Sequence, residues 1–144
     1  QNIDGMHQRA LSENVIELHG SLWRMRCQTE KIFIDDLKFG KYNNRYCKCG
    51  TILRPDIIWF QDMLDEKTLR KTTEIIIKAD LFISIGTSAV VWPAAGYAKL
   101  AKSNGAYLIE INPQNTELSQ IYDKVIRKKA SDGIEDLVIR GYFS

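Results

Sequence analysis

Cysteine is scarce: three residues among 144, an odd number closely spaced, which argues against a disulfide framework and for reduced thiols or a bound metal. Long hydrophobic runs are missing as well. None approaches the roughly 18–20 residues that a membrane-crossing helix needs, and no signal peptide opens the chain, so no membrane partner and a cytoplasmic location are expected. Nor is charge of one sign in excess. The formal net charge is +2, and the basic residues are scattered. Their densest cluster, Arg127-Lys128-Lys129, reads as a solvated strand edge, so direct nucleic-acid binding is not expected. Low-complexity segments and internal repeats are absent too. What is present is ordinary for a globular protein, 44% apolar and 26% charged, with a length that favours one domain with one modest core. The chain opens Gln1-Asn2-Ile3-Asp4 rather than with Met, which reads as a fragment, a processed product or part of a longer chain.

The second half alternates strand and helix. Asp80 to Ile85 is an apolar run ending at Gly86, the pattern of a strand buried on both faces. Pro93 suits the first position of a helix over Ala94 to Lys102, with Gly105 as its stop. Tyr107 to Ile111 is the next strand, ended by Asn112-Pro113, and Lys124 to Arg127 is a third. Gly133 to Ile139 is a closing helix with Ile134, Leu137 and Val138 on one side. Short connections between such units imply a parallel sheet. Before them, Glu66 to Lys78 predicts a helix capped by Asp65, with Leu69, Ile75, Ile76 and Ile77 buried. Cys27 to Gly50 is polar, rich in Asn and Lys and bounded by cysteines; it reads as an inserted module rather than sheet core.

Three features carry chemistry. The Gly86-Thr87-Ser88 turn lies between a strand and a helix, where open α/β sheets bind ligands and free N–H groups favour phosphate or hydroxyl oxygens; plain punctuation is the alternative. Asn112 ends the following strand, near where nucleotide-binding folds read a ribose. His19 follows the alternating run Ile16-Glu17-Leu18 and precedes Gly20. It can take a proton at neutral pH, or it is simply a polar residue at a strand end, and His7 has the same ambiguity.

In combination these residues resemble the sirtuins. Gln1-Asn2-Ile3-Asp4-Gly5-Met6-His7 is similar to that family's Gln-Asn-x-Asp-Gly-Leu-His block, Leu18-His19-Gly20 to its catalytic His-Gly, and Leu53 to Phe60 to its Leu-Arg-Pro block. Gly86-Thr87-Ser88 and Ile111-Asn112 complete five blocks in the family's order. The resemblance implies a Rossmann-like, doubly wound parallel sheet of the α/β class over residues 80–144, with a small inserted module at 27–50, and NAD as cofactor. It implies that acylated protein lysines are the substrates, with nicotinamide, free lysine and an O-acyl-ADP-ribose as products. His19 would be the general base acting on a ribose hydroxyl. Asn2 and Asp4 would line the nicotinamide pocket with Ile3 beside them, and Gln1 would bond the adjoining ribose. Gly86, Thr87, Ser88 and Asn112 would hold the adenosine half, and Ala130, in the loop after the last strand, would contact adenine. Trp59 and Phe60, facing Val90 and Val91, would clamp the substrate backbone as an added strand; ordinary core packing is the alternative for these four.

The sequence also departs from the family. Its zinc module has two Cys-x-x-Cys pairs, whereas here Glu30 stands where the partner of Cys27 would be, and the second pair is the compressed Cys47-Lys48-Cys49. A structural zinc site is four-coordinate, so either Glu30 adds a carboxylate oxygen or the loop is a degenerate one held by packing. Phe60-Gln61-Asp62 replaces the common Phe-Gly-Glu. Val91-Trp92-Pro93-Ala94-Ala95 resembles the desuccinylase and demalonylase branch, whose acyl-reading Tyr and Arg, like the family's Gly-Ala-Gly phosphate loop, would lie before Gln1. Little NAD turnover is therefore expected from these 144 residues alone. Two other readings compete: an ADP-ribosyltransferase or NAD glycohydrolase, and a non-catalytic fragment that binds acylated peptides.

Overall fold

A computed structural model describes residues 1–30, 33–35, 46–59, 62–139 and 141. The chain divides into two compact units, Gln1–Leu69 and Arg70–Ser144.

The first unit begins with a single helical turn, α1 (Met6–Arg9), followed by the strands β1 (Gly20–Arg26), β2 (Phe33–Asp35) and β3 (Arg54–Ile57). Both neighbours pair antiparallel with β1, in the order β2-β1-β3. The alternating run before His19 is not a strand; β1 starts only at Gly20. There the chain passes so close to β3 that a Cβ on Gly20 would stand 2.0 Å from the Asp56 carbonyl oxygen, and its φ of +78° is one that only glycine adopts freely. The pairing of β1 with β3 is then interrupted: Ser21 faces Asp56, but the next partners are Met25 and Pro55. Leu22, Trp23 and Arg24 bulge out of that ladder. Met25, Cys27, Cys47 and Leu53 form a separate small core, so two of the cysteines of the 27–50 segment are packing residues as well.

The second unit is a parallel sheet of β4 (Leu81–Ile85), β5 (Tyr107–Ile111) and β6 (Lys124–Ile126), in the order β4-β5-β6. Leu108, Ile109 and Ile111 are fully buried, so β5 is the strand covered on both faces. β4 was expected to be. It is only half-buried because, among the described residues, it lies at the sheet edge with Ile85 exposed. The alternation of β5 sorts two cores. Leu108 packs with Ile76, Ala98, Ala101, Leu118 and Tyr122 on the side of α3 (Ala94–Ser103), whereas Ile109 and Ile111 pack with Ile126 and Leu137 on the side of α4 (Ala130–Ile139). Helices on both faces make the sheet doubly wound.

α2 (Glu66–Ile76) is capped as expected: Asp65 Oδ2 accepts from Thr68 N at 2.8 Å. Its buried isoleucine is Ile76 alone, since a helix turns Ile75 and Ile77 about 100° to either side, where both are exposed. The same geometry corrects α4. Its inward residues are Gly133 and Leu137, one turn apart, while Ile134 and Val138 are exposed. Gly133 sits so tightly on β5 that a Cβ would come within 2.3 Å of the Ile111 side chain. No described helix is long and apolar enough to cross a membrane.

Candidate active site

In the first unit, residues 1–4 belong to no helix or strand and are held through their carbonyls. His19 Nδ1 lies 3.1 Å from the Gln1 oxygen, Leu22 N donates to the Ile3 oxygen at 2.9 Å, and Trp23 Nε1 donates to the Asp4 oxygen at 2.6 Å. Asp4 Oδ1 also accepts from Met6 N at 3.0 Å. Thus Gln1, Ile3, Asp4 and His19 are brought together, although 14 residues separate Asp4 from His19 in the chain. A carbonyl can only accept, so Nδ1 of the neutral His19 ring carries the hydrogen and Nε2 keeps its lone pair. This is the tautomer a base needs. On the other side, Ile58 N donates to the His19 carbonyl at 3.0 Å, which ties the His19 main chain to the segment leading to Trp59. Trp59 is 49% exposed, which excludes core packing for it; Phe60 lies outside the described residues.

An ion-pair network anchors this arrangement. The Arg24 guanidinium bonds Glu17 at 2.7 Å and Asp56 at 2.5 Å, and Glu17 also accepts from Gln8 at 2.7 Å.

Cys27, Cys47 and Cys49 converge, their three sulfurs within 4.8 Å of one another and Cys27 Sγ 3.5 Å from Cys49 Sγ. Thiolates on one zinc, each about 2.3 Å from it, stand about 3.8 Å apart in a tetrahedron, so this donor set fits three of four positions. Glu30 gives the cluster its backbone rather than its carboxylate: its N–H points at Cys27 Sγ from 3.4 Å. Hydrogen bonds involving Thr51 bring the exposed Cys49 thiol down to about 7, which favours the thiolate a metal requires.

In the second unit, Gly86 has a φ of +62° and donates to the Ile111 oxygen at 2.9 Å, joining the carboxyl ends of β4 and β5. Asn112 finishes this joint: Nδ2 donates to the Thr87 oxygen at 2.8 Å and Oδ1 accepts from Gln114 N at 3.1 Å. Thr87 Oγ1 accepts from Ala89 N at 3.2 Å, and Ser88 is exposed. The Gly-Thr-Ser turn does not lie at a helix N-terminus as expected; α3 begins only at Ala94, beyond the exposed Val90 (54%) and Val91 (41%), for which core packing is also excluded. Ala130 opens α4 instead of lying in a loop, because the helix starts earlier than Gly133.

Arg127, expected on a solvated edge, is instead bound to the buried Glu110. Its Nη1 lies 2.8 Å from Glu110 Oε2 and also reaches the carbonyls of Asn112 and Gln114 at 3.2 and 3.0 Å. Thr116 and Ser119 hydroxyls each donate to Glu110 at 2.6 Å. Burial alone would push the Glu110 carboxyl up, but the bonds from Ser119, Thr116 and Arg127 outweigh it and hold it below the usual carboxylate range. Sequence reading missed this network, because a lone Glu inside an apolar strand does not say which distant cation it meets.

A Rossmann-like domain whose Gly-Thr-Ser turn is tied to Asn112 at the strand ends, and a His-bearing unit carrying a cysteine cluster, define the class. The Sir2 family model matches residues 1–93. An NAD-dependent protein deacylase of Aquifex aeolicus is 40% identical over 94% of this chain and 57% of its own length. One of Caldanaerobacter subterraneus is 43% identical over 83% of this chain and 50% of its own. Among solved structures, a Sir2 homolog–NAD complex superposes with a TM-score of 0.88 at 39% identity, covering 97% of this chain and 56% of that one. A Sir2–p53 peptide–NAD+ complex superposes with a TM-score of 0.86 at 29% identity, covering all of this chain and 62% of that one. The chain belongs to the Sir2 family. It spans little more than half the length of these relatives.

Proposed function

We propose that the protein carrying this chain removes acyl groups from protein lysine with consumption of NAD. The observation that carries the reading is the bond between His19 Nδ1 and the Gln1 oxygen, which leaves Nε2 basic beside the 1–4 segment. In this reading the acyl-lysine carbonyl oxygen attacks the anomeric carbon of NAD and displaces nicotinamide, held by Asn2 and Asp4. His19 would then take a proton from a ribose hydroxyl, whose oxygen bonds the acyl carbon; lysine leaves as the free amine and one water adds to the acyl carbon, giving the O-acyl-ADP-ribose. Gln1, Ile3, Gly86, Thr87, Ser88, Asn112 and Ala130 bind NAD. Exposed Trp59, Val90 and Val91, with Phe60, take the peptide as an added strand. The relatives' names and the NAD and peptide complexes among them support this reading. The test is to give the full-length protein NAD with and without an acyl-lysine peptide. Nicotinamide and deacylated peptide should appear together and only with peptide. Nicotinamide without peptide would indicate a glycohydrolase or ADP-ribosyltransferase, and none in either case a binding module.

We also propose that Cys27, Cys47 and Cys49 hold a structural zinc. A metal there would crosslink the segments on either side of residues 31–45 and add binding free energy to folding. Elemental analysis should find about one zinc per chain, lowered by Cys49→Ser. A well-folded protein purified with no metal and taking up none would refute this assignment.

A further inference from the structure

We propose that Trp23 is a positioning residue for the nicotinamide-binding segment Gln1–Asp4, an inference that rests on the deacylase reading above. The interrupted ladder between β1 and β3 is where this begins. Ser21 and Met25 pair with adjacent residues of β3, so the three residues between them are released from it. Bulges of this kind re-aim side chains near functional sites. Here two of the three turn to residues 3 and 4: Leu22 gives its backbone N–H to Ile3, and Trp23 its indole N–H to Asp4, while Arg24 pairs with Asp35 of β2. The Trp23 backbone N–H, released from the β3 ladder, is satisfied locally by Ser21 Oγ at 3.2 Å.

Asp4 is then gripped from both directions. Its carbonyl is bonded to the indole, and its carboxylate caps Met6 at the start of α1. α1 ends at Arg9, whose guanidinium returns to lie 4.4 Å from the centre of the same Trp23 ring. The loop from Asp4 to Arg9 therefore closes on one side chain, by a hydrogen bond at one end and a cation over the ring face at the other. A segment with no ladder of its own depends on such contacts for its conformation. Without the indole N–H, the Asp4 peptide can turn to water and the carboxylate no longer stands in a fixed place. Trp23 touches no reacting atom in this scheme; it acts through Asp4.

The experiment compares wild-type full-length protein with Trp23→Phe, which keeps a ring under Arg9 but has no donor, and with Arg9→Met, which removes the cation. Inhibition by free nicotinamide, KM for NAD, KM for acyl peptide, kcat and Tm are measured for each. Trp23→Phe should raise the nicotinamide inhibition constant about 3- to 10-fold, the span expected for one lost hydrogen bond, and raise KM for NAD with it. KM for the acyl peptide should stay within about twofold, a split that general loosening of the unit would not produce. Arg9→Met should shift the nicotinamide constant in the same direction by about 2- to 5-fold. If Trp23→Phe does not fold, Arg9→Met decides by the same readout. An unchanged nicotinamide constant in Trp23→Phe, beside a wild type that deacylates, overturns the inference and leaves the deacylase reading standing. So does an equal rise in the peptide and nicotinamide constants with a matching fall in Tm. A wild type that releases no nicotinamide overturns both.

Discussion

Replacing His19 by alanine is expected to abolish deacylated peptide while leaving fold and NAD binding nearly intact. A positioned base contributes about 10²–10⁴-fold, and residues 1–4 hold no second imidazole to take over. The change also removes the bond to the Gln1 oxygen. That oxygen is free to bond water instead, so a modest stability cost is expected, far smaller than the loss in rate. Exchange of free nicotinamide into NAD should survive better than deacylation, because the displacement of nicotinamide precedes the step that needs the base. Nicotinamide and deacylated peptide are measured side by side. A variant that deacylates at the wild-type rate would remove His19 from the role of base.

The largest expected loss of stability comes from Glu110→Ala. Glu110 is buried, with its side chain 3% exposed, and it gathers Arg127, Thr116 and Ser119 around one carboxylate. Without it a guanidinium and two hydroxyls lose their common acceptor. Breaking a buried pair from one side costs about 3–5 kcal/mol, and the lower end, about 3 kcal/mol, applies because Arg127 keeps 33% of its side chain in solvent. In thermal melting this is a fall of about 10 °C. Because the native carboxyl is held below its ordinary range, its contribution is complete above the unfolded value of about 4.3 and is lost as pH falls past it. The gap between wild type and Glu110→Ala should therefore be widest near neutrality and narrow in acid. A gap of constant size across that range would show that the carboxylate charge is not what stabilises the loop after β5.

The candidate base and the strand–helix rhythm were legible in the residues, the rhythm for physical reasons that act locally. An apolar run such as Leu108-Ile109 leaves a chain little choice but burial, and Asp65 caps α2 by bonding three residues ahead. Burial of single residues was less legible. Ile75, Ile77, Ile134 and Val138 are apolar enough for a core, yet are exposed, because helix phase depends on which face meets the sheet. Similarly, Arg127 reads as one charge in a basic run until β5 brings Glu110 beside it.

By itself the sequence determined the family, the parallel sheet implied by short connections and the identity of the candidate base. All of these rest on residue types and spacings along the chain. Only the tertiary structure decided the tautomer of His19, the tethering of residues 1–4 to a bulged strand, and the burial of the Glu110–Arg127 pair. Each needs two groups far apart in sequence within about 3 Å, a distance at which hydrogen-bond geometry decides the chemistry.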